Sequence, residues 1–291
     1  MARHGDRLLR FLFEEADVRG VLVRLEQSWR TVAERRPLPA PARDLLGELC
    51  AAGMLLSSSL KQHGSLTFQL TGDGPAQLLV VECTGERTLR GMARIEGEVT
   101  PGPLSRVAGT GQVVITAETD QGERYQGIAP LAGDDLATTL EEHLQRSEQL
   151  ATRLWLAADG KTAAGLMLQR MPVHSGQDQD GWSRLTQLGA TVTRKELLEL
   201  DPSRLLRRLF HEETVRLFDP EPVRFHCGCS HERVTRMLQG LGYAEVSRII
   251  EADNAIEVTC EFCGQNYRFN RLDAERLFAP VTPEGLSSTR H

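Results

Sequence analysis

The sequence has no apolar run long enough to cross a membrane. Its early stretch of Leu8, Leu9, Phe11, Leu12 and Phe13 stops at Glu14 and Glu15, far short of the ~18 to 20 residues a span requires. The same stretch is too short, and too soon acidic, to expect a secretory leader. Lysine is almost missing: Lys61, Lys161 and Lys195 are the only ones, and arginine carries the rest of the positive charge. Basic residues are outnumbered, 34 Lys plus Arg against 40 Asp plus Glu, for a net charge of -6. That balance argues against a chain whose main work is gripping nucleic acid or an anionic membrane. Cysteine is scarce too, and six in 291 residues cannot brace the whole fold with disulfides. A reducing, cytoplasmic setting is therefore expected, and there paired cysteines signal metal or redox chemistry. There are no internal repeats and no low-complexity tract.

What is present is ordinary for a folded protein: 40% hydrophobic and 25% charged residues. The length suits about two domains. Val21, Val23, Leu25, Trp29 and Val32 form an amphipathic stretch that ends at Pro37-Leu38-Pro39-Ala40-Pro41. Residues 43–61 carry Leu45, Leu46, Leu49, Met54 and Leu55 near helical spacing. The period then becomes two: Leu66, Phe68 and Leu70 alternate with polar residues, 72–75 supply a turn, and Leu78 to Cys83 return as a strand. Val113 to Ile115 and Tyr125 to Ile128 flank a second turn at 120–123. A helix is predicted over 134–150 and a strand at 166–168.

Residues 174–182 read as a polar, glycine-bearing break. Beyond it, Thr193 to Glu196 spells a capping box, and Asp201-Pro202 an N-cap followed by proline at the first helical position. Residues 184–224 hold 8 basic and 7 acidic side chains interleaved with Leu197, Leu198, Leu200, Leu205, Leu206, Leu209 and Phe210. Such a segment has one apolar face that needs a partner. The expected fold class is α+β. A mixed α/β core domain spans 1–173, a helical linker 174–222 and a small four-cysteine zinc-binding domain 223–291.

The chemical signal lies in that tail. Cys227-Gly228-Cys229 is followed, thirty residues on, by Cys260-Glu261-Phe262-Cys263-Gly264. Two close thiol pairs around a small helical unit suit one tetrahedral zinc, which four thiolates would close to water and substrate. Helices are expected from 230 or 231 to Gln239, stopped by Gly240, and over 244–252. His226 and His231 flank the first pair and could replace a thiol, but with four cysteines available they read better as surface or supporting histidines. Cys50 and Cys83 sit among apolar neighbours and read as core residues. Spacing alone favours a permanent structural ribbon over a redox switch. The one-residue spacing of the first pair weakens that preference, because a sulfenic acid formed on one sulfur by peroxide or hypochlorous acid has a thiol neighbour at hand.

A nucleic-acid-binding protein and an enzyme are the rival classes. A nucleic-acid-binding ribbon would want a positive excess, but 224–276 hold 7 basic and 8 acidic side chains. Tyr267 and Phe269 could stack on bases or pack against a helix. Gly160-Lys161-Thr162 imitates the end of a phosphate loop, yet Trp155 stands where the first glycine belongs. Glu141-Glu142-His143 is no metalloprotease signature, and Cys260 to Cys263 lacks the strand–helix setting of a thioredoxin. No enzyme is expected.

The chain resembles the 33-kDa redox-regulated chaperone family (heat-shock protein 33 family). The resemblance is carried by FEEADVRG at 13–20, GMARIEG at 91–97, the stretch 109–153 with ERYQGIAPL and QRSEQLATR, AAGLMLQRMP at 163–172, CGCSHERV at 227–234 and CEFCGQNYRFN at 260–270. It implies an ATP-independent holdase for unfolding client proteins that is reduced, bound to one Zn2+ and idle at rest. By the same resemblance, Cys227, Cys229, Cys260 and Cys263 are the metal ligands. Oxidation would pair Cys227 with Cys229 and Cys260 with Cys263, release zinc, unfold tail and linker, and yield an active homodimer. Neither nucleic acid nor membrane is an expected partner.

Overall fold

The computed structural model describes residues 5–60, 63–147, 149–172 and 180–278. Two compact units divide the chain after His226. The first unit opens with β1 (Arg7–Phe13) and β2 (Val18–Leu25), then α1 (Gln27–Ala33) and α2 (Ala40–Leu56). Strands β3 (Ser65–Gly72), β4 (Ala76–Thr84) and β5 (Thr88–Ile95) follow, then the short α3 (Leu104–Val107). Next come β6 (Gly111–Glu118), β7 (Arg124–Pro130), α4 (Leu136–Ser147), β8 (Thr152–Ala158) and β9 (Ala163–Arg170). Helices α5 (Gly181–Gly189), α6 (Arg194–Glu199) and α7 (Pro202–Phe210) lead to β10 (Val215–Leu217), β11 (Glu221–Pro222) and β12 (Arg224–Phe225). The α+β expectation is borne out.

Two sheets build this unit. One runs β10-β1-β2-β9-β8 with β11 also on β1, and the other runs β12-β5-β4-β3-β6-β7. Helix α2 packs on strands of both, burying Leu45, Leu46, Leu49, Cys50, Met54 and Leu55. Such all-round burial explains why its apolar residues are more numerous than one helical face needs. The predicted hairpin is present, with Val114 opposite Ile128. The early amphipathic stretch is not one element: it is β2 up to Leu25 and α1 from Gln27.

The leucine face of 184–222 finds its partner in the first sheet. Leu197, Leu198, Leu205, Leu206, Leu209 and Phe210 share a buried cluster with Leu9, Phe11, Phe13, Val18, Leu166 and Leu168. Opposite Phe11, Gly20 has no alternative: a Cβ there would lie 2.1 Å from the phenyl ring. Both predicted caps form. Thr193 and Glu196 make the reciprocal capping box, and the Asp201 carboxylate accepts from the Ser203 N–H at 2.9 Å. Ionic contacts add to the apolar ones: Arg7 pairs with Asp201 at 2.5 Å, and Glu221 takes Arg87 at 2.6 Å and Arg10 at 2.7 Å. Residues 223–226, expected in the tail, lie in the first unit, because Val223 is buried in its core and β12 pairs in parallel with β5.

Arg194 reaches from α6 to Asp44 at 3.3 Å and Glu48 at 3.4 Å, and donates to the Ala158 carbonyl. Burial pushes the Glu48 carboxyl up to about 7 against the pull of Arg194, with Asp44 and Asp135 adding to the rise. The unfolded carboxyl titrates near 4.5. The folded state therefore binds the extra proton, and the stability this group contributes is full below that value and is lost as pH rises through about 7. Stability of the first unit, followed by tryptophan fluorescence in urea, should rise from about pH 8 to about pH 5.5. Glu48→Gln should remove that part of the slope. An unchanged slope would contradict the assignment.

The second unit holds α8 (His231–Leu241), α9 (Tyr243–Asp253), the antiparallel hairpin β13 (Ile256–Thr259) and β14 (Asn266–Phe269), and α10 (Arg271–Phe278). Its core is small: Val234, Leu238, Val246, Ile250, Ile256, Phe269 and Ala274. Helix α8 runs through Gly240, the expected stop, and ends at Gly242, whose φ of +87° suits glycine.

Candidate metal centre

Each cysteine pair is held by local backbone chemistry. Cys229 immediately precedes Ser230, the N-cap of α8, whose hydroxyl accepts from the Arg233 N–H at 3.2 Å. The free N–H groups of a helix start favour a negatively charged sulfur there. Gly228 leaves room for the Arg233 guanidinium, since a Cβ would come 3.0 Å from its Nη1. Cys260 and Cys263 occupy the turn of the β13–β14 hairpin. Within it, the Gly264 N–H donates to the Cys260 carbonyl at 2.8 Å and the Cys260 N–H to the Gln265 carbonyl at 2.9 Å. Gly264 has φ of +71°, which is the knuckle expected after Cys263.

These two loops bring the four sulfurs within 4.8 Å of one another. The Cys227 and Cys260 sulfurs are 3.7 Å apart, and those of Cys229 and Cys263 3.2 Å. The Tyr267 hydroxyl, on β14, donates to the Cys229 sulfur at 3.2 Å. Burial pushes the Cys229 thiol up, but hydrogen bonds from Tyr267 and the other three cysteines outweigh it and bring it down to about 7. Burial pushes Cys263 up to about 12, and the three neighbouring cysteines add to the rise. The Tyr267 hydroxyl is itself pushed up to about 12, chiefly by that bond. Four thiols so close, none fully buried, can hold a metal ion.

His231 stands apart from this cluster. Its ring packs on Phe269 at 4.6 Å and meets Tyr267 edge-on at 6.5 Å. His226 belongs to the first unit, where its N–H donates to the Leu89 carbonyl at 3.1 Å. Cys50 and Cys83 are fully buried in the core of the first unit, and burial raises both thiols far out of the reactive range. Tyr267 is the site residue that sequence reasoning missed. Only the hairpin register, which sets it opposite Val258, brings its hydroxyl to a sulfur.

The comparisons with known proteins decide the family. Residues 6–270 match the family described as Hsp33 protein. The chain belongs to the Hsp33 family. Similar proteins include the 33 kDa chaperonin of Nitrosococcus oceani, 48% identical over 286 residues, covering 98% of this chain and 99% of that one. The 33 kDa chaperonin of Methylobacillus flagellatus is 45% identical over 290 residues, covering 99% of each. Among solved structures, the Hsp33 homologue from Thermotoga maritima superposes with a TM-score of 0.80 over 93% of this chain and 97% of that chain. Its identity is 21%, so that likeness is one of fold. The resemblance read from the sequence is thus correct, and the chain is a chaperone by family. Its Hsp33 relatives are named as chaperonins, not as enzymes. Among the described residues no helix is long and apolar enough to cross a membrane.

Proposed function

We propose that this chain is a redox-controlled, ATP-independent holdase, idle while reduced and active toward unfolding proteins under oxidative stress. At rest, Cys227, Cys229, Cys260 and Cys263 hold one Zn2+ as thiolates. Zinc bound there supplies folding energy to the tail and keeps the sulfurs deprotonated. The observation that carries this reading is the convergence of the four sulfurs within 4.8 Å. Four thiols so gathered, with contacts of 3.7 and 3.2 Å between them, would supply the all-sulfur donor set that a structural zinc takes.

A peroxide drives the switch. A thiolate attacks one peroxide oxygen, the O–O bond breaks, and hydroxide leaves. A second thiolate attacks the sulfenic sulfur, the S–O bond breaks, and the second hydroxide leaves. Each disulfide thus consumes one peroxide and releases two hydroxides, which two protons from the buffer convert to two waters. The pairs formed are Cys227 with Cys229 and Cys260 with Cys263. In the folded tail the short contacts run across the pairs. Pairing within each loop therefore belongs to the opened tail, where near neighbours in sequence meet most often.

With the metal released, the tail unfolds and the 180–222 segment lets go. The side chains of Leu9, Phe11, Phe13, Val18, Leu166 and Leu168, now covered, become a surface for apolar client segments. The active form is a homodimer, and it works in the cytoplasm without nucleotide, nucleic acid or membrane. Base stacking finds little support, because Phe269 is fully buried. Light scattering of a thermally unfolding client tests the function. Peroxide-treated protein should suppress aggregation and reduced protein should not, with no nucleotide added. Equal suppression by both would remove the switch.

A further inference from the structure

We infer that the Tyr267 hydroxyl is a brake on the oxidation of Cys229. Tyr267 acts as a positioning residue that occupies electron density on the sulfur and slows its attack on a hydroperoxide. This rests on the holdase reading for its purpose, though not for its chemistry. The bond is 3.2 Å long, and its two ends are fixed independently. Cys229 is set by the Ser230 cap of α8. Tyr267 is set by the β13–β14 register, with its strand anchored two residues on by fully buried Phe269. The edge-on His231 ring, 6.5 Å away, flanks the phenol. Packing at this position asks for a ring; the hydroxyl adds only a donor aimed at the sulfur.

The chemistry follows from that donor. In the first oxidation step the Cys229 thiolate gives an electron pair to one peroxide oxygen, the O–O bond breaks, and hydroxide leaves to take a proton from the buffer. The sulfur is oxidised to a sulfenic acid and the peroxide reduced. A hydrogen bond to a thiolate stabilises it before the attack, and roughly half of that stabilisation appears in the barrier. Removing the bond should speed oxidation of Cys229 by ~3- to 10-fold.

The test uses the reduced, full-length chain and Tyr267→Phe, which keeps the ring. Zinc content is measured first. Hydrogen peroxide is then added, and the oxidised fraction of Cys229 is followed by alkylation and peptide mass mapping, alongside zinc release to a chelating dye. The expected result is unchanged zinc content and tail hydrogen exchange at rest, with Cys229 oxidised ~3- to 10-fold faster. Placing 3-fluorotyrosine at position 267, a stronger donor, should slow it. Equal or slower oxidation in Tyr267→Phe overturns the inference. So does loss of zinc or tail protection before oxidant, since the hydroxyl would then be a structural requirement. Absence of zinc from the unsubstituted chain would sink the holdase reading instead, while the ratio of Cys229 rates still decides the role of the tyrosine.

Discussion

Cys260→Ser should leave residues 227–278 unfolded while the first unit stays intact. Among the described residues of the tail, the buried core cluster holds seven apolar side chains, one of them alanine. So small a core contributes little net stability once chain entropy is subtracted. A structural zinc supplies about 10 to 16 kcal/mol, as much as the whole stability of an ordinary domain. With three thiolates left, zinc affinity should fall by at least ~1,000-fold, and the helical signal of α8, α9 and α10 should go with it. Trp29, Trp155 and Trp182 all lie in the first unit, so tryptophan emission should not change. Metal titration and hydrogen exchange read the two halves separately. A variant that keeps stoichiometric zinc at unchanged affinity would remove Cys260 from the site.

Phe210→Ala should free the 180–222 segment without any oxidant. Phe210 is 2% exposed, meets Phe13 edge-on at 5.0 Å and lies 6.3 Å from Phe11. Truncating such a ring costs about 3 to 5 kcal/mol. Helix α7 is only nine residues long and depends on that face for its structure. Hydrogen-exchange protection over 194–217 should fall by ~100- to 1,000-fold while α2 and its flanking strands keep theirs. On the proposed mechanism, the reduced, zinc-loaded variant should then suppress client aggregation. Unchanged protection would contradict the packing argument. Lost protection without aggregation suppression would separate segment release from client binding.

Where one face of an element is wet, its residues announced it. Leu66, Phe68 and Leu70 alternate because the other side of β3 is less buried, and the helix around Leu136, Leu140 and Leu144 shows one apolar stripe. β1 carries no such pattern. Phe11 and Phe13 lie under the linker helices and Leu8 faces the core, so apolar residues fall on both sides. β8 is blurred in the same way, with Leu154 and Ala158 in one cluster and Ala157 in the other. In β5, Arg90 and Arg94 interrupt the apolar run. Gly240 misled because a glycine can sit inside a helix for about 1 kcal/mol, whereas the exit needs the positive φ found at Gly242. The meeting of the four thiols was legible because each pair is local. Tyr267 was not: its partner lies 38 residues away, and only the folded hairpin joins them.

On the proposed mechanism, oxidation of four thiols becomes unfolding. Hydrogen exchange on the full-length, zinc-loaded chain, before and after stoichiometric peroxide, tests it most directly. Residues 227–278 and the 180–222 segment should lose protection together as zinc is released, while α2 and strands β2 to β9 keep theirs. Disulfides formed with zinc gone and both segments still protected would contradict it.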